Sequence, residues 1–269
     1  MSAPETLKAV QDMTDDAPVT DVTETFLLWQ ELLEELKDKV AARFELRRDP
    51  STEELESFGD AGGPRGSLAG FSGPDVDWMI HSWVGDPARG FVNLHLTVWL
   101  GPHIRVPHLG LALLCWPGGW FYIDSVPRTS LVADTDYFDR YYAPAEAQWL
   151  AVREEYEDLS WFTSRTGFIR GSLSPTAYCY SMPRDEPHVR LVRRLMHEQV
   201  DRWLRWVDEA EPVAPQERAA LAETDLNIRR NIVERDPANI MGVRFFGEQT
   251  TDMLVRALWG GDRVLPRPS

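Results

Sequence analysis

Cysteine is scarce in this sequence, and long apolar runs are absent from it. The 269 residues include two cysteines, Cys115 and Cys179, which stand far apart and form no CxxC pair. Each lies among apolar or aromatic residues, as expected of reduced thiols that pack as small hydrophobic side chains. No uncharged apolar run approaches the roughly 20 residues that cross a bilayer, and residues 1–19 lack the features of a signal peptide. We therefore expect a cytoplasmic protein with no membrane association and a disordered tail over residues 1–19.

Basic residues are also few. Lysine and arginine together number 28 against 43 acidic residues, which gives a net charge of −15 and a pI of about 4.8. A nucleic-acid partner requires a basic surface that neutralises phosphates. The charge balance therefore predicts that the protein does not bind nucleic acid.

The common fingerprints of cofactor and hydrolase sites are missing as well. The sequence has no GxGxxG that opens a helix, no Walker A motif, no GxSxG and no HExxH, and its six histidines lack metal-ligand spacing. We expect neither a metal site nor nicotinamide, nucleotide or serine-hydrolase chemistry. Redox chemistry would need electrons from another protein, or a cofactor held without a recognisable fingerprint.

The sequence does contain a helix, a loop-like region and a series of strands, in that order. Apolar residues recur at helical spacing from Asp21 to Phe44, and residues 47–75 are rich in glycine, proline, serine and acid, which predicts a long loop. A hairpin is predicted at the Pro-Gly-Gly turn of residues 117–119. Strands are predicted at residues 77–85, 91–101, 109–117, 119–127 and 167–183, and further helices at 143–162, 186–209, about 215–235 and 247–259.

These elements predict one domain over residues 20–269, of the α/β class. Short connections between the strands imply antiparallel order, and helices before and after them in the chain can cover both faces. We therefore predict a three-layer α/β/α sandwich in which helices flank both faces of a central antiparallel sheet.

The strand FVNLHLTVWLG, residues 91–101, alternates with period two and raises a question about one of its faces. One face is apolar, while the other carries Asn93, His95 and Thr97. Buried polar groups need partners, and a cavity that holds a polar ligand would supply them. The alternative is that this face lies at an uncovered edge or forms internal hydrogen bonds.

The predicted helix near residues 215–235 carries two notable carboxylates. Asp225 falls within an apolar stripe, and Asp236 follows three turns later, where Pro237 predicts the end of the helix. The negative end of the helix dipole and any burial would both raise the pKa of Asp236, and a proton donor needs a protonated acid. The structural alternative is that Asp225 pairs with Arg229 or Arg230 and that Asp236 caps a loop.

Asp124, in WFYIDSVPR, lies on the side of its strand that carries Trp120 and Tyr122. A functional Asp124 would face an aromatic pocket lining, whereas a structural one would pair with Arg128, and the structural role is favoured. The many aromatic residues suit stacking on a flat conjugated ligand, although such residues more often fill cores.

Several motifs resemble those of the red chlorophyll catabolite reductase family, within the ferredoxin-dependent bilin reductase superfamily. DWMIHSWVG, GFVNLHLT, VPHLGLALL, FYIDSVPRTSLVADTDYFDRYY, FIRGSLSPTA and DLNIRRNIVERDPANIMGVRFFGEQTTDMLVRAL follow the family's order and spacing. The similarity covers roughly residues 72–259. It is strongest over Asp124–Tyr137 and Arg229–Asp236.

The resemblance implies an α/β/α sandwich, usually dimeric, that holds an open-chain tetrapyrrole between the sheet and the C-terminal helices. It also implies that electrons arrive singly from reduced ferredoxin and that no flavin, nicotinamide or metal is bound. The protein would then position the pigment and deliver protons. A face that carries Asn93, His95 and Thr97 would be part of the pocket wall.

The family's functional residues match this chain in part. Its acid on the C-terminal helical segment matches Asp236, but its glutamate on the central strand corresponds to Ala112. His95 or His81 would then transfer the proton, or the substrate would differ. The resemblance therefore implies that Asp236 and His95 are catalytic. The residues expected to contact or support the substrate are Asn93, Thr97, His81, Asp225, Asp124 and Ala112.

A ferredoxin is acidic, so its docking on this acidic chain would need a local basic patch. Arginines on or beside the predicted helix 186–209 could form that patch, or they could make ordinary salt bridges. We expect a ferredoxin-dependent reductase of a linear tetrapyrrole or a related conjugated substrate. The alternatives are a non-catalytic tetrapyrrole-binding protein and an enzyme of specialised metabolism, for example in a bacterial biosynthetic pathway, that reuses the fold.

Overall fold

An antiparallel sheet is the centre of the structure, a computed structural model that describes residues 19–60, 62–162, 164 and 166–269. The predicted tail over residues 1–19 lies outside these residues except for Val19. Within the described residues the strands are β1 Arg47–Arg48, β2 Phe58–Gly59, β3 Arg65–Ser72, β4 Val76–Asp86, β5 Phe91–Leu100, β6 His108–Cys115, β7 Gly119–Val126, β8 Ser160–Trp161 and β9 Tyr178–Met182. Their order across the sheet is β1-β3-β4-β5-β6-β7-β9-β8, and β2 also pairs with β3.

Helices cover both faces of this sheet. They are α1 Thr23–Arg43, α2 Thr135–Tyr141, α3 Ala143–Glu155, α4 Gly167–Ser172, α5 Glu186–Asp208, α6 Pro215–Glu234 and α7 Asn239–Trp259, and short 3-10 helices span Pro50–Leu55 and Pro87–Arg89. None of the helices in the described part of the chain is both long and apolar enough to span a membrane.

The first helical layer packs on the apolar face of β5. The helices α1 and α5 contribute Trp29, Leu36 and Trp203, all at most 1% exposed, to a core that also contains Leu94 and Leu96 of β5. The period of 3.6 in the helices and of two in the strand brings these side chains to one interface. The predicted amphipathic helix and the predicted apolar face of β5 are therefore confirmed.

The second layer, formed by α6 and α7, packs on the opposite face of the sheet. Leu254 and Ala257 of α7 pack against Trp78 and Ile80 of β4, and the Trp78 indole donates a hydrogen bond to the Ala257 carbonyl at 3.0 Å. The predicted α/β/α sandwich with its antiparallel sheet is therefore confirmed.

The helix α7 is longer than predicted and is kinked. Gly247 lies inside it with φ +78° and ψ 171°, a conformation that is open essentially to glycine alone. The prediction of a helix over residues 247–259 captured only the segment after this kink.

Two predicted elements are wrong. Residues 47–75 are not one long loop, because they contain β3, whose buried positions are Gly66, Leu68, Gly70 and Ser72. Three of those four side chains are small or absent, so the strand gives no hydrophobic alternation. At Gly70 a Cβ would lie 2.6 Å from the Trp78 ring, which explains the glycine.

The segment 167–183 is the second correction, since it divides into α4 and β9 rather than forming one strand. Pro175 lies between the two elements and cannot donate a backbone hydrogen bond to a sheet. The preceding helix also ends earlier than predicted, at Glu155, and β8 follows it.

Candidate functional site

The candidate site lies on the sheet face that is turned away from α1. Directly opposed residues of antiparallel strands share a face. The register therefore aligns Ser82 of β4, His95 of β5, Ala112 of β6, Tyr122 of β7 and Cys179 of β9 in one row. The neighbouring rows on the same face contain Asn93, Leu114 and Trp120 on one side, and Ile80, Thr97, Gly110 and Asp124 on the other.

The three polar residues of β5 thus point together toward the second helical layer. Asn93, His95 and Thr97 are each half-buried. The Asn93 side-chain oxygen is buried without a hydrogen-bond partner among the described residues, and His95 likewise has none within that part of the chain. Burial lowers the pKa of His95 to about 4, so the imidazole is neutral at physiological pH. Internal hydrogen bonding, one of the alternatives for this face, does not satisfy Asn93 or His95.

Apolar clusters enclose this polar centre. At one end Trp99 and Val126 pack under α6 and α7. Toward β9, Leu114, Phe162 and Cys179 form a second cluster. At the start of β5, the Phe91 ring lies 5.0 Å from the ring of Phe245, which belongs to the first segment of α7. The site is therefore a polar patch with an apolar border and a helical cover.

Three further unpartnered polar atoms lie on or against the same face. The Oδ1 atom of Asp124, the Nε1 atom of Trp120 and the Oγ atom of Ser174 are buried without a partner in the described residues. Buried polar atoms in proteins are nearly always hydrogen bonded, directly or through water. Their concentration here, beside Asn93 and His95, is typical of a surface that binds a polar ligand.

Asp124 is the carboxylate on the sheet floor and is only 2% exposed. Its Oδ2 atom accepts hydrogen bonds from the Tyr122 hydroxyl at 3.1 Å and from the Ser174 backbone N–H at 3.2 Å. Burial raises the pKa of Asp124 to about 6, although these hydrogen bonds act in the opposite direction. The predicted pairing of Asp124 with Arg128 is wrong, because Arg128 binds another carboxylate.

That other carboxylate is Asp225, which therefore packs α6 against the sheet instead of facing the site. Arg128 donates to its two oxygens from Nη2 at 2.5 Å and from Nε at 3.2 Å, and His108 Nε2 lies 3.1 Å from Oδ1. Burial acts to raise the pKa of Asp225, but His108 and Arg128 outweigh it and hold that pKa below its ordinary value. The structure corrects both the predicted substrate contact of Asp225 and its alternative pairing with Arg229 or Arg230.

Asp236 lies in the turn between α6 and α7 and is half-buried. Its Oδ1 atom accepts a hydrogen bond from the Ala238 N–H at 2.8 Å. Burial raises the pKa of Asp236, in the direction expected from the sequence. No other hydrogen bond to its carboxylate occurs in the described residues, and its role as a proton donor stays a prediction.

His81 does not belong to this face, which corrects its predicted place in the pocket. It is paired with Leu96 and Ala69 across the sheet, and its Nε2 atom lies 3.6 Å from the Glu34 carboxylate of α1. Burial lowers the pKa of His81 despite the opposite influence of Glu34. His81 therefore cannot replace a carboxylate at Ala112, whose methyl group lies on the site floor between His95 and Tyr122.

Three of the six arginines in the predicted basic patch on or beside α5 are paired with acids. This helix packs on the sheet face opposite the site, and these three arginines form ordinary salt bridges, the alternative that the sequence left open. The pairs are Arg190 with Glu186, Arg193 with Glu35 and Arg194 with Glu198, while Arg202 donates to Gln148.

Sequence reasoning named Tyr122 only as a neighbour of Asp124 on its strand, and it did not name Ser174. Tyr122 is two residues from Asp124 on one strand, so the period of two already placed it on the same face. Ser174 reaches Asp124 from the connection between α4 and β9, and nothing in the sequence indicates that contact.

Comparisons with known proteins agree with this architecture. A model of the family described as red chlorophyll catabolite reductase (RCC reductase) matches residues 29–259. The crystal structure of phytochromobilin synthase from tomato in complex with biliverdin superposes with a TM-score of 0.77 at 15% identity, covering 87% of this chain and 83% of that one. A search of the curated proteins gives no match.

Proposed function

The chain belongs to the red chlorophyll catabolite reductase family, and on that premise we propose that it is a ferredoxin-dependent reductase of a linear tetrapyrrole or a related conjugated molecule. The flat substrate would lie on the site floor, between the sheet and the helices α6 and α7. Reduced ferredoxin, an iron–sulfur protein, would supply electrons one at a time. The chain itself would hold no redox cofactor, and its task would be to position the substrate and deliver protons.

The observation that carries this proposal is the set of unpartnered polar groups at the centre of an apolar border. Asn93 and His95 offer an amide and a neutral imidazole on one flat face, and the buried Asp124 carboxyl group lies beneath that face. A linear tetrapyrrole matches such a surface, because its conjugated rings are flat and apolar while its ring nitrogens and terminal carbonyl groups form hydrogen bonds. The tomato protein of the same fold was solved with biliverdin, a molecule of this class.

In this proposal Asp236 and His95 provide the acid–base chemistry. Asp236 is an acid of raised pKa beside the site's helical cover, so it keeps a proton to give at a pH where an ordinary aspartate has lost it. His95 is neutral and carries one N–H donor and one nitrogen acceptor, so it would bind the substrate and pass a proton through its ring. Thr97 and Ala112 would shape the floor beside it.

Absorption spectroscopy tests the proposal in two stages. Biliverdin should bind with a shifted visible spectrum, and reduced ferredoxin should then bleach or shift that spectrum under anaerobic conditions. His95→Gln should weaken both steps, whereas His81→Gln is the matched control on the opposite face and should behave like the wild type. Absence of any spectral change with biliverdin and with red chlorophyll catabolite would refute the proposal.

Ala112 favours one alternative from another class of function. The floor carries a methyl group at the position where the family resemblance implies a glutamate, which suits a protein that binds a tetrapyrrole without reducing it. Such a carrier would give a stable shifted spectrum that reduced ferredoxin leaves unchanged. The same two-stage titration therefore separates the reductase from the carrier.

We also propose a homodimer located in the cytoplasm. Light scattering of the purified chain would give its mass, and a monomer at micromolar concentration would refute the dimer.

A further inference from the structure

We propose that Tyr122 and Asp124 form a proton-donating pair on the site floor, in which Tyr122 gives a proton to the bound substrate and Asp124 replaces it. This inference rests on the proposed function, because it concerns the protons that accompany reduction. It assigns Tyr122 as a catalytic residue that touches the substrate and Asp124 as the residue that acts through it.

The first support is the placement of the two side chains. They are two residues apart on β7 and share the face that carries His95, with Tyr122 in the same row as His95. Tyr122 is half-buried, whereas Asp124 is 2% exposed and lies beneath the accessible surface of the floor. The Tyr122 hydroxyl and Asp124 Oδ2 are 3.1 Å apart, which is a hydrogen-bond distance.

Gly110 leaves room for the Tyr122 ring in this position. It is the residue of β6 directly opposite Asp124. A Cβ at Gly110 would lie 3.0 Å from Tyr122 Cε1 and 3.2 Å from the hydroxyl oxygen. The missing side chain therefore lets the Tyr122 ring lie over β6, next to the strand that carries His95 and Thr97.

The second support is the hydrogen bonding of Asp124. Its Oδ2 atom accepts from both Tyr122 and the Ser174 backbone, while Oδ1 is buried and has no partner in the described part of the chain. With Oδ1 unpartnered, the buried carboxyl group lacks the donors at both oxygens that an ionised carboxylate needs, and its neutral form can carry its proton on Oδ2 and donate it to the Tyr122 oxygen. Burial accordingly raises the pKa of Asp124 to about 6.

The proton transfer is balanced as follows. Reduced ferredoxin gives electrons to the substrate and is itself oxidised. For the transfer, the Tyr122 hydroxyl turns its hydrogen from Asp124 Oδ2 to the substrate, and the protonated Asp124 donates from Oδ2 to the tyrosine oxygen. The Tyr122 O–H bond then breaks as a C–H or N–H bond forms on the reduced substrate, and the Asp124 proton moves to the tyrosine oxygen. Burial raises the pKa of Tyr122 well above its usual range, so a free tyrosinate is unfavourable and the proton must be replaced in the same step. Asp124 is left as a carboxylate, which is reprotonated by a hydronium ion from the bulk solvent.

Tyr122→Phe and Asp124→Asn test this pair, with Tyr156→Phe and Asp262→Asn as controls outside the site. Both controls have their contacts away from the site. Tyr156 contacts the His188 ring, and the exposed Asp262 pairs with Arg256. Biliverdin would be the probe, with its affinity from absorption titration and its turnover from anaerobic assays with reduced ferredoxin. Electron paramagnetic resonance would detect any one-electron-reduced pigment.

Both site variants should bind biliverdin within about threefold of the wild type and lose turnover by at least ~100-fold, the usual contribution of a positioned acid. Electrons would still arrive, so a pigment radical should accumulate in both variants and not in the controls. A purely structural role would lower pigment affinity or folding without that radical.

Turnover near the wild-type rate in either variant would overturn the pair while leaving the proposed reductase intact. A wild-type protein that binds biliverdin and fails to reduce it would overturn the reductase and the pair together. A loss of turnover without radical accumulation would also refute the pair, because the electrons rather than the protons would then be missing.

Discussion

Removal of the Asp225 carboxylate should destabilise the fold strongly and leave the site floor unchanged. Asp225 is 6% exposed and its partner Arg128 is 2% exposed, so both charges of this pair are buried. Arg128 also donates to the carbonyl oxygens of Gly101 and Ile104. The variant Asp225→Ala would leave a buried guanidinium without its counter-charge.

The expected magnitude follows from the burial of the pair. Loss of one partner of a buried ion pair costs about 3–5 kcal/mol. His108 cannot compensate, because burial lowers the pKa of His108 to about 4 and leaves its ring neutral. Since 1 kcal/mol shifts the Tm of a large domain by about 2–4 °C, we expect a decrease of roughly 6–20 °C.

Thermal unfolding followed by circular dichroism at pH 7 measures this decrease. The double variant Arg128→Met with Asp225→Leu removes both charges, so it should lose less stability than Asp225→Ala alone. Biliverdin affinity, measured on the folded variant, should stay within about twofold of the wild type. An unchanged Tm together with lost pigment binding would refute the reasoning, because Asp225 would then serve the ligand.

Three further predictions concern single residues. Asp236→Asn should abolish turnover with binding nearly intact, because the change keeps the shape and removes the acid; turnover in that variant would exclude Asp236 as the donor. The pKa of Asp124 is about 6 in the folded protein, above its unfolded value near 4. The stability that the neutral acid contributes is therefore complete below a pH of about 4 and is lost as the pH rises through 6, by up to ~3 kcal/mol. Calorimetry should therefore find Asp124→Asn more stable relative to wild type at pH 8 than at pH 5, and an equal difference at both would contradict the shift. Gly247→Ala should cost about 1–3 kcal/mol through backbone strain alone, since no atom lies within 4 Å of the added Cβ, and urea unfolding would detect it.

The sequence predicts those parts of the fold in which one local pattern is sufficient. The strand β5 alternates between half-buried and buried positions from Phe91 to Val98, and α1 repeats apolar residues every three or four positions, so their faces and approximate ends follow from the residues alone. The strand β3 has the same geometry but buries Gly66, Gly70 and Ser72. Gly66 and Gly70 leave room for the close approach of Phe58 and Trp78, which come from other segments, so the pattern is visible only in the folded sheet.

The partners of buried charges are less predictable than their burial. Asp225 is correctly expected on the apolar face of α6, yet its partner Arg128 is 97 residues away in sequence. Local spacing favoured Arg229 and Arg230 because they lie on the same helix. In the structure Arg229 instead pairs with Asp77 at 2.8 Å, so α6 is fixed to the sheet through two separate ion pairs.

The two histidines His81 and His95 show why the chemistry of a site depends on register. Both lie in the middle of neighbouring strands, but His95 is paired with Ser82, one residue beyond His81, so the two imidazoles point to opposite faces. In β4 both faces bury large apolar side chains, Met79 on one and Ile80 on the other, and the alternation that identifies a core face is lost. A shift of one residue exchanges every side chain between the faces. The pairing with β5 therefore places His95 on the same face as Tyr122 and Asp124, and it places His81 on the face that packs against α1.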